Sequence, residues 1–424
     1  PPKKEQDQIA LMGAYATALT VMGNKKTQTE TPWRRLALTL VATFEDEDVP
    51  RAAKLILARH LAAELDADSV VLEAAAWRTL LAKRAKEAKE GMRILEKKIT
   101  HDLVSNHGIR PDGRSKDQIR KLDMEVSVLP RTHGSAFFQR GETQSIVTCT
   151  LGTIKDEQIV DGLVPEYAKK FYLHYNFPPF SVGETGRFGG QNRREIGHGA
   201  LAERSIEPVV PSEKDFPYAI RIVSEVMESN GSTSMASVCA GVLALMDAGV
   251  PLRRPVAGIS VGLVTEFEGE TLKRYTTLTD IIGSEDHFGD MDFKLCGTDV
   301  GVTGFQLDLK LPGISHEIMA EAVIEAKESR TKILDVMNGI LASPRAELSQ
   351  YAPRIETIRI NPDKIGLIIG PGGKTIKGIV AETGAEINIE DDGSIHIYSN
   401  NGESLKRAKE IINGMTKEIS IGEI

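Results

Sequence analysis

Cysteine is scarce in this chain: its 424 residues include three, Cys149, Cys239 and Cys296. They are odd in number, widely spaced and set among apolar neighbours. That argues against a disulfide framework and a zinc site, and fits a reducing compartment. Long apolar runs are also missing. None approaches the ~20 residues of a membrane span, so no membrane association is expected. Positive charge is not in excess. The formal net charge is −8, so no bulk basic field attracts nucleic acid, and any such binding must come from local sites. No Ser-His-Asp order, HExxH or CxxC arrangement occurs, so neither a covalent nucleophile nor zinc is indicated. The chain opens on Pro1 rather than Met. The natural start is expected to lie elsewhere, and a missing targeting peptide proves nothing.

What is present suffices for more than one domain. Residues 1–104 read as an all-helical region, with helical periodicity over 51–65 and 70–101. Asp66 and Asp68 break the two segments. Trp33 and Trp77 read as core anchors of a helical bundle, and the basic stretch 83–98 as a solvated face. From about residue 105 the texture changes. Strands are expected over 124–129, 145–151, 219–225 and 256–264, with helices over 195–204, 235–248 and 315–342, the last capped by Ser315. This mixture predicts an α+β domain over 105–345 rather than regular βαβ repetition. Residues 344–353 read as a linker. The remainder, 346–424, forms a unit of its own with the order βααββα.

Four motifs carry chemistry. TDIIGSEDHFGDMDFKLCGT (279–298) gathers Asp286, Asp290 and Asp292, with Lys294 two positions on. Residues two apart on a strand share a face, so Asp292 and Lys294 point the same way. Such carboxylates suit a hard divalent cation, and the ammonium a phosphate oxygen. Ser229-Asn230-Gly231-Ser232-Thr233-Ser234 precedes a helix, where free N–H groups, hydroxyls and the helix dipole favour an anion. One serine would satisfy a simple cap, and three hydroxyl residues exceed that need. GGQNRREIGH (189–198) enters another helix and places Arg194 and His198 one turn apart. Gly370-Pro371-Gly372-Gly373-Lys374 fails as a nucleotide P-loop, because Ile368 stands where glycine is required. Between two helices it fits instead the KH loop, which clamps single-stranded nucleic acid, with Lys364, Lys374 and Lys377 as local charge.

Together with RPDGRSKDQIR, LPRTHGSAFFQRGETQ, FPPFSVGETGRFGGQNRREIGHGALAERSI and ESNGSTSMASVCAGVLALMDAGVP, these motifs resemble polynucleotide phosphorylase over roughly residues 108–420. The match is to the family's second RNase PH-like core domain followed by its KH domain. The resemblance implies 3′-to-5′ phosphorolysis of single-stranded RNA, with inorganic phosphate as co-substrate, nucleoside diphosphates as products and polymerisation as the reverse reaction. It implies that Ser232, Thr233, Ser234 and His198 hold phosphate, and that Arg193 and Arg194 help bind phosphate or the RNA 3′ end. It further implies that Asp286, Asp292 and Lys294 form a Mg²⁺ or Mn²⁺ site, with Asp286 and Asp292 as ligands and Asp292 also a proton donor. A homotrimer, partners in RNA degradation and a cytoplasmic or organellar-matrix setting are implied as well. The family carries a first RNase PH-like domain before the helices and usually an OB-fold after the KH domain, and neither is visible in these residues. A non-catalytic RNA-binding fragment is the alternative expectation.

Overall fold

One segment with apolar side chains on every face organises the fold. The computed structural model describes residues 91–417 apart from 92, 188, 270 and 400. Residues 93–107 are helical. The helix expected over 51–65, most of that over 70–101, Trp33, Trp77 and the start of the basic stretch lie outside the described residues. Beyond residue 107, strands β1 (Leu122–Val126), β2 (Gly134–Arg140) and β3 (Thr143–Gly152) come first. The short β4 (Gln158–Val160) and β5 (Tyr167–Lys169) follow, then β6 (Phe171–Asn176) and helix α1 (Arg193–Ile206). Next are β7 (Ala219–Glu228), α2 (Thr233–Asp247), β8 (Ala257–Glu268), β9 (Thr271–Thr279) and α3 (Gly283–Phe288). Strands β10 (Met291–Gly297) and β11 (Val302–Leu309) and the long α4 (His316–Ile340) complete this part.

The strands form two main sheets. One runs β1-β2-β3-β7-β6, antiparallel except for the β6–β7 pair; the other runs β11-β10-β8-β9 and is antiparallel throughout. In β3 burial alternates, with Val147, Cys149 and Leu151 turned inward, as a half-buried strand requires. Helix α2 packs against β2 and β3 of one sheet and β8 of the other, and all fifteen of its residues are buried. A helix that is apolar all round has no solvent face and belongs inside a core. Helix α4 buries a single stripe, including Ile318, Ala322, Ala326, Ile333 and Met337. Its start is set by Ser315, whose side chain accepts from Ile318 N at 3.4 Å.

One expectation is corrected here. The first strand ends at Val126, not residue 129, because Ser127 takes a left-handed φ of 58°. Ser127 bonds Asp247 at the end of α2, donating from N (3.1 Å) and Oγ (2.7 Å). The stretch 344–353, expected as a linker, joins α4 to the next strand without helix or strand of its own and is pinned at several points. Arg345 donates through Nε to Asp247 Oδ1 at 2.7 Å, Ala352 is buried, and Pro353 O accepts from Tyr218 Oη at 2.8 Å.

A second hydrophobic core, built on Ile368, Ile379, Ile395, Ile397, Leu405 and Ile412, marks the last part of the chain. Its elements are β12 (Arg354–Arg359), α5 (Ile365–Ile369), α6 (Lys374–Thr383), β13 (Glu386–Ile389), β14 (Ser394–Ser399) and α7 (Gly402–Thr416). That is the βααββα order of a KH domain, with sheet order β12-β14-β13.

Candidate active site and KH loop

The loop before α2 departs from ordinary capping. Ser232 occupies the N-cap position at φ 34°, a left-handed conformation that costs a non-glycine residue about 1–2 kcal/mol. Its side chain makes no capping bond. Ser232 Oγ and Ser234 Oγ are both buried with no hydrogen-bond partner in the protein. Thr233 Oγ1 lies 2.6 Å from Tyr175 Oη, which in turn lies 3.5 Å from His198 Nδ1. A buried hydroxyl left unpaired costs about 1–3 kcal/mol, so two of them side by side call for a partner from outside the chain. The first turn of α2 adds unpaired N–H groups and the positive end of a helix dipole. This set has the donors that suit an anion, and a plain cap accounts for neither free serine hydroxyl.

The opposite wall comes from β10 and β11. Every residue of β10 is buried, including Asp292 and Lys294. Lys294 Nζ donates to Asp292 Oδ2, leaving Asp292 Oδ1 buried and unpaired. Burial lifts the Asp292 carboxyl above the usual range, against the pull of Lys294, and nearby Asp286 and Asp308 lift it further. Strand pairing sets Asp308 opposite Asp292 and Gln306 opposite Lys294. Asp286 projects from α3 with its Oδ1 3.8 Å from Lys310 Nζ. Asp290, grouped with these carboxylates by sequence, turns elsewhere: its Oδ2 accepts from Thr265 N (2.9 Å) and Oγ1 (2.6 Å).

These walls enclose a cavity of about 760 Å³ whose lining includes Arg194, His198, Ser232, Thr233, Ser234, Asp286, Asp292 and Lys294. Arg193 is exposed and is not part of that lining. Both arginines occupy the first turn of α1, where the helix dipole disfavours cations. Arg194 lies over the Phe177 ring, 5.9 Å from its centroid.

Burial pushes the His198 imidazole down to about 4, with Lys294 and Arg194 adding to the effect. His198 is therefore neutral across the physiological range. A folded value below the ordinary 6.5 favours the native state above pH 6.5, and that contribution is lost as pH falls through about 4. His198→Gln should flatten the dependence of Tm on pH in this window. An unchanged slope would contradict the assignment.

The KH loop is built on three glycines with positive φ, Gly370 (68°), Gly372 (59°) and Gly373 (75°). Pro371, Gly372 and Lys374 are exposed, and a Cβ on Gly372 would meet nothing within 4 Å. The loop surface is therefore open to close approach by a polymer backbone. Lys364 is committed elsewhere, since its Nζ donates to Thr416 O at 2.8 Å at the end of α7.

Residues 118–251 match the 3′ exoribonuclease family, domain 1 (RNase PH), and residues 355–414 match the KH domain. A polyribonucleotide nucleotidyltransferase of Akkermansia muciniphila is 60% identical over 343 residues, covering 80% of this chain and 48% of that protein. That of Methylacidiphilum infernorum is 58% identical over 332 residues, covering 78% and 47%. The chain belongs to the polyribonucleotide nucleotidyltransferase family. It spans about half the length of the curated relatives it matches. Rice Rrp46 aligns with 54% of this chain and 98% of its own at 20% identity and a TM-score of 0.42.

In this nucleotidyltransferase-family chain, sequence reasoning overlooked Tyr175, Gln306, Asp308 and Lys310. Tyr175 belongs to a strand whose alternation reads as core. Gln306 and Asp308 reach the cavity through the pairing of β11 with β10, and Lys310 follows directly after β11; no local motif announces either. Among the described residues, no group of three or more His, Cys, Asp or Glu side chains is placed to hold a metal alone. The unpaired Asp292 Oδ1, with Asp286 lining the same cavity, fits Mg²⁺, which is often held by one or two carboxylates plus substrate phosphates. No helix among the described residues is long and apolar enough to cross a membrane.

Proposed function

We propose that residues 105–345 are the catalytic core of a 3′-to-5′ phosphorolytic exoribonuclease and that residues 346–424 grip its single-stranded RNA. The observation that carries this reading is the pair of buried, unpartnered serine hydroxyls sharing a cavity with Asp292 and Lys294. Attack by water needs no such anion cradle.

Inorganic phosphate is already a nucleophile, so the protein has to position it and offset charge repulsion. The N–H groups of α2, the hydroxyls of Ser232 and Ser234, neutral His198 and Arg194 would hold it. Arg193, exposed beside Arg194, would meet the RNA 3′ end. A phosphate oxygen bonds to the terminal phosphorus, and the bond from that phosphorus to the preceding 3′ oxygen breaks. The products are a nucleoside diphosphate and an RNA one residue shorter. Hydrogenphosphate brings the proton that the leaving oxygen needs in net terms, and Asp292, its carboxyl raised by burial, would relay it. Asp286 and Asp292 would hold Mg²⁺ or Mn²⁺, which supplies charge neutralisation at the phosphoryl oxygens. Lys294 places its amino group against Asp292.

The test is incubation with labelled oligoadenylate and Mg²⁺, with and without inorganic phosphate, and identification of the mononucleotide. Phosphate-dependent ADP is expected. AMP released without phosphate would replace this reading with hydrolysis. RNA binding with no product would leave the KH domain as the working part. In the same assay, Gly372→Asp should weaken RNA binding about tenfold or more by placing a carboxylate against the phosphate backbone. The KM for phosphate should stay within twofold.

A further inference from the structure

The loop that forms the anion cradle is held from behind by a buried charge cluster outside the cavity lining. Asp280 is fully buried, has a left-handed φ of 55° and sits at the centre of the cluster. Arg120 donates to it from N, Nε and Nη2 at 2.8–2.9 Å, Arg140 Nε lies 2.7 Å away, and Arg114 Nη1 lies 3.3 Å away. The other ends of two of these guanidiniums reach the loop. Arg120 Nη1 donates to Asn230 O at 2.6 Å, and Arg120 Nη2 to Gly231 O at 3.1 Å. Arg140 Nη2 donates to Gly231 O at 3.3 Å and to Ser232 O at 3.1 Å. Thr143 Oγ1 adds a third bond to Gly231 O at 3.0 Å and accepts from Asn230 N at 3.0 Å.

Three successive carbonyls thus point at buried arginines. A carbonyl facing the cavity would repel a phosphate oxygen. With all three drawn back, the loop offers its remaining N–H groups and hydroxyls. The cluster also carries surplus charge. The guanidiniums of Arg110, Arg114, Arg120 and Arg140 face the carboxylates of Asp112, Asp280 and Glu285. Four cations against three anions leave one net positive charge beneath the cradle, where water screens it little.

We propose that Arg120 and Arg140, locked by Asp280, are positioning residues for phosphate: they turn the carbonyls of Asn230 and Gly231 away from the cavity, Ser232 O being held by Ala236 N as well, and keep a positive charge behind the loop. This rests on the reading of the loop as a phosphate cradle. Neither arginine touches phosphate, so their effect is transmitted through backbone geometry. Lysine keeps the charge but cannot bridge Asp280 and two carbonyls at once.

The test measures inorganic phosphate binding by titration calorimetry on the full chain, alongside phosphorolysis and KH-dependent RNA binding. Arg140→Lys and Arg120→Lys should each raise the phosphate Kd tenfold or more, while RNA binding stays within twofold and far-UV circular dichroism is unchanged. An unaltered phosphate Kd in either folded variant would overturn the proposal. If both lysine variants fail to fold, Thr143→Val removes one donor to Gly231 O without touching Asp280. It should then weaken phosphate binding severalfold, and an unchanged Kd would again overturn the proposal. Phosphate binding by the parent without turnover would defeat phosphorolysis alone. No phosphate binding by the parent would defeat both readings.

Discussion

Asp292→Asn should reduce phosphate-dependent nucleoside diphosphate release by about 10³-fold, within the range for losing a general acid. The change keeps the shape and removes the charge and the titratable proton. Single-turnover assays at saturating phosphate should show the loss, with RNA binding within twofold of the parent. Residual activity above one tenth of the parent would remove Asp292 from the chemistry. The variant also reports on stability. Asp292 and Lys294 form a buried pair, 6% and 7% exposed. Breaking such a pair by deleting one partner costs about 3–5 kcal/mol, because the remaining charge has lost its counter-ion. Asparagine still accepts a bond from Lys294, so it should cost less than alanine. Urea titration of both variants would separate the structural share from the catalytic one.

Gly231→Ala should be nearly as damaging, for reasons of space. A Cβ there would lie 2.5 Å from Ile281 O and 2.8 Å from Ile282 Cα, both backbone atoms unable to swing aside. The residue also has φ 95°, where an L side chain is strained. Overpacking and backbone strain together predict a loss of about 2–5 kcal/mol. Because the clash lies between the cradle and the segment leading to Asp286, phosphate affinity should fall as well. Gly189→Ala is the control: nothing lies within 4 Å of its Cβ and its φ is ordinary. Its effect should stay within about 0.5 kcal/mol. Equal urea midpoints for the two variants would refute the account.

Legibility in the sequence followed the range of the interactions. Helix α2 could be read from an apolar run closed by Gly249 and Pro251. Helix α4 was marked by Ser315 and its apolar stripe, and the KH order by turn residues between short periodic segments. Residues within one motif could be grouped, and Asp292 and Lys294 share a face because a strand repeats every two residues. Asp290 has the same parity and still turns away, since Thr265, on a different strand, offers it two donors. Contacts between distant segments left no local trace. Arg120 and Asp280 are 160 positions apart, and each alone resembles an ordinary surface charge. Asp308 enters the cavity only through the β10–β11 register. Residues 344–353 have linker composition but lie packed because Arg345 finds Asp247.

The complete burial of α2 also constrains how the molecule can work. The helix bridges the two main sheets and supplies the cradle from its own N-terminus. Any opening that parted the sheets would have to expose its fifteen buried residues, and packed interiors of this density resist gradual deformation. The site therefore lacks the freedom of a hinged jaw. If RNA is shortened here one residue at a time, the moving part is the polymer, threading past a fixed anvil.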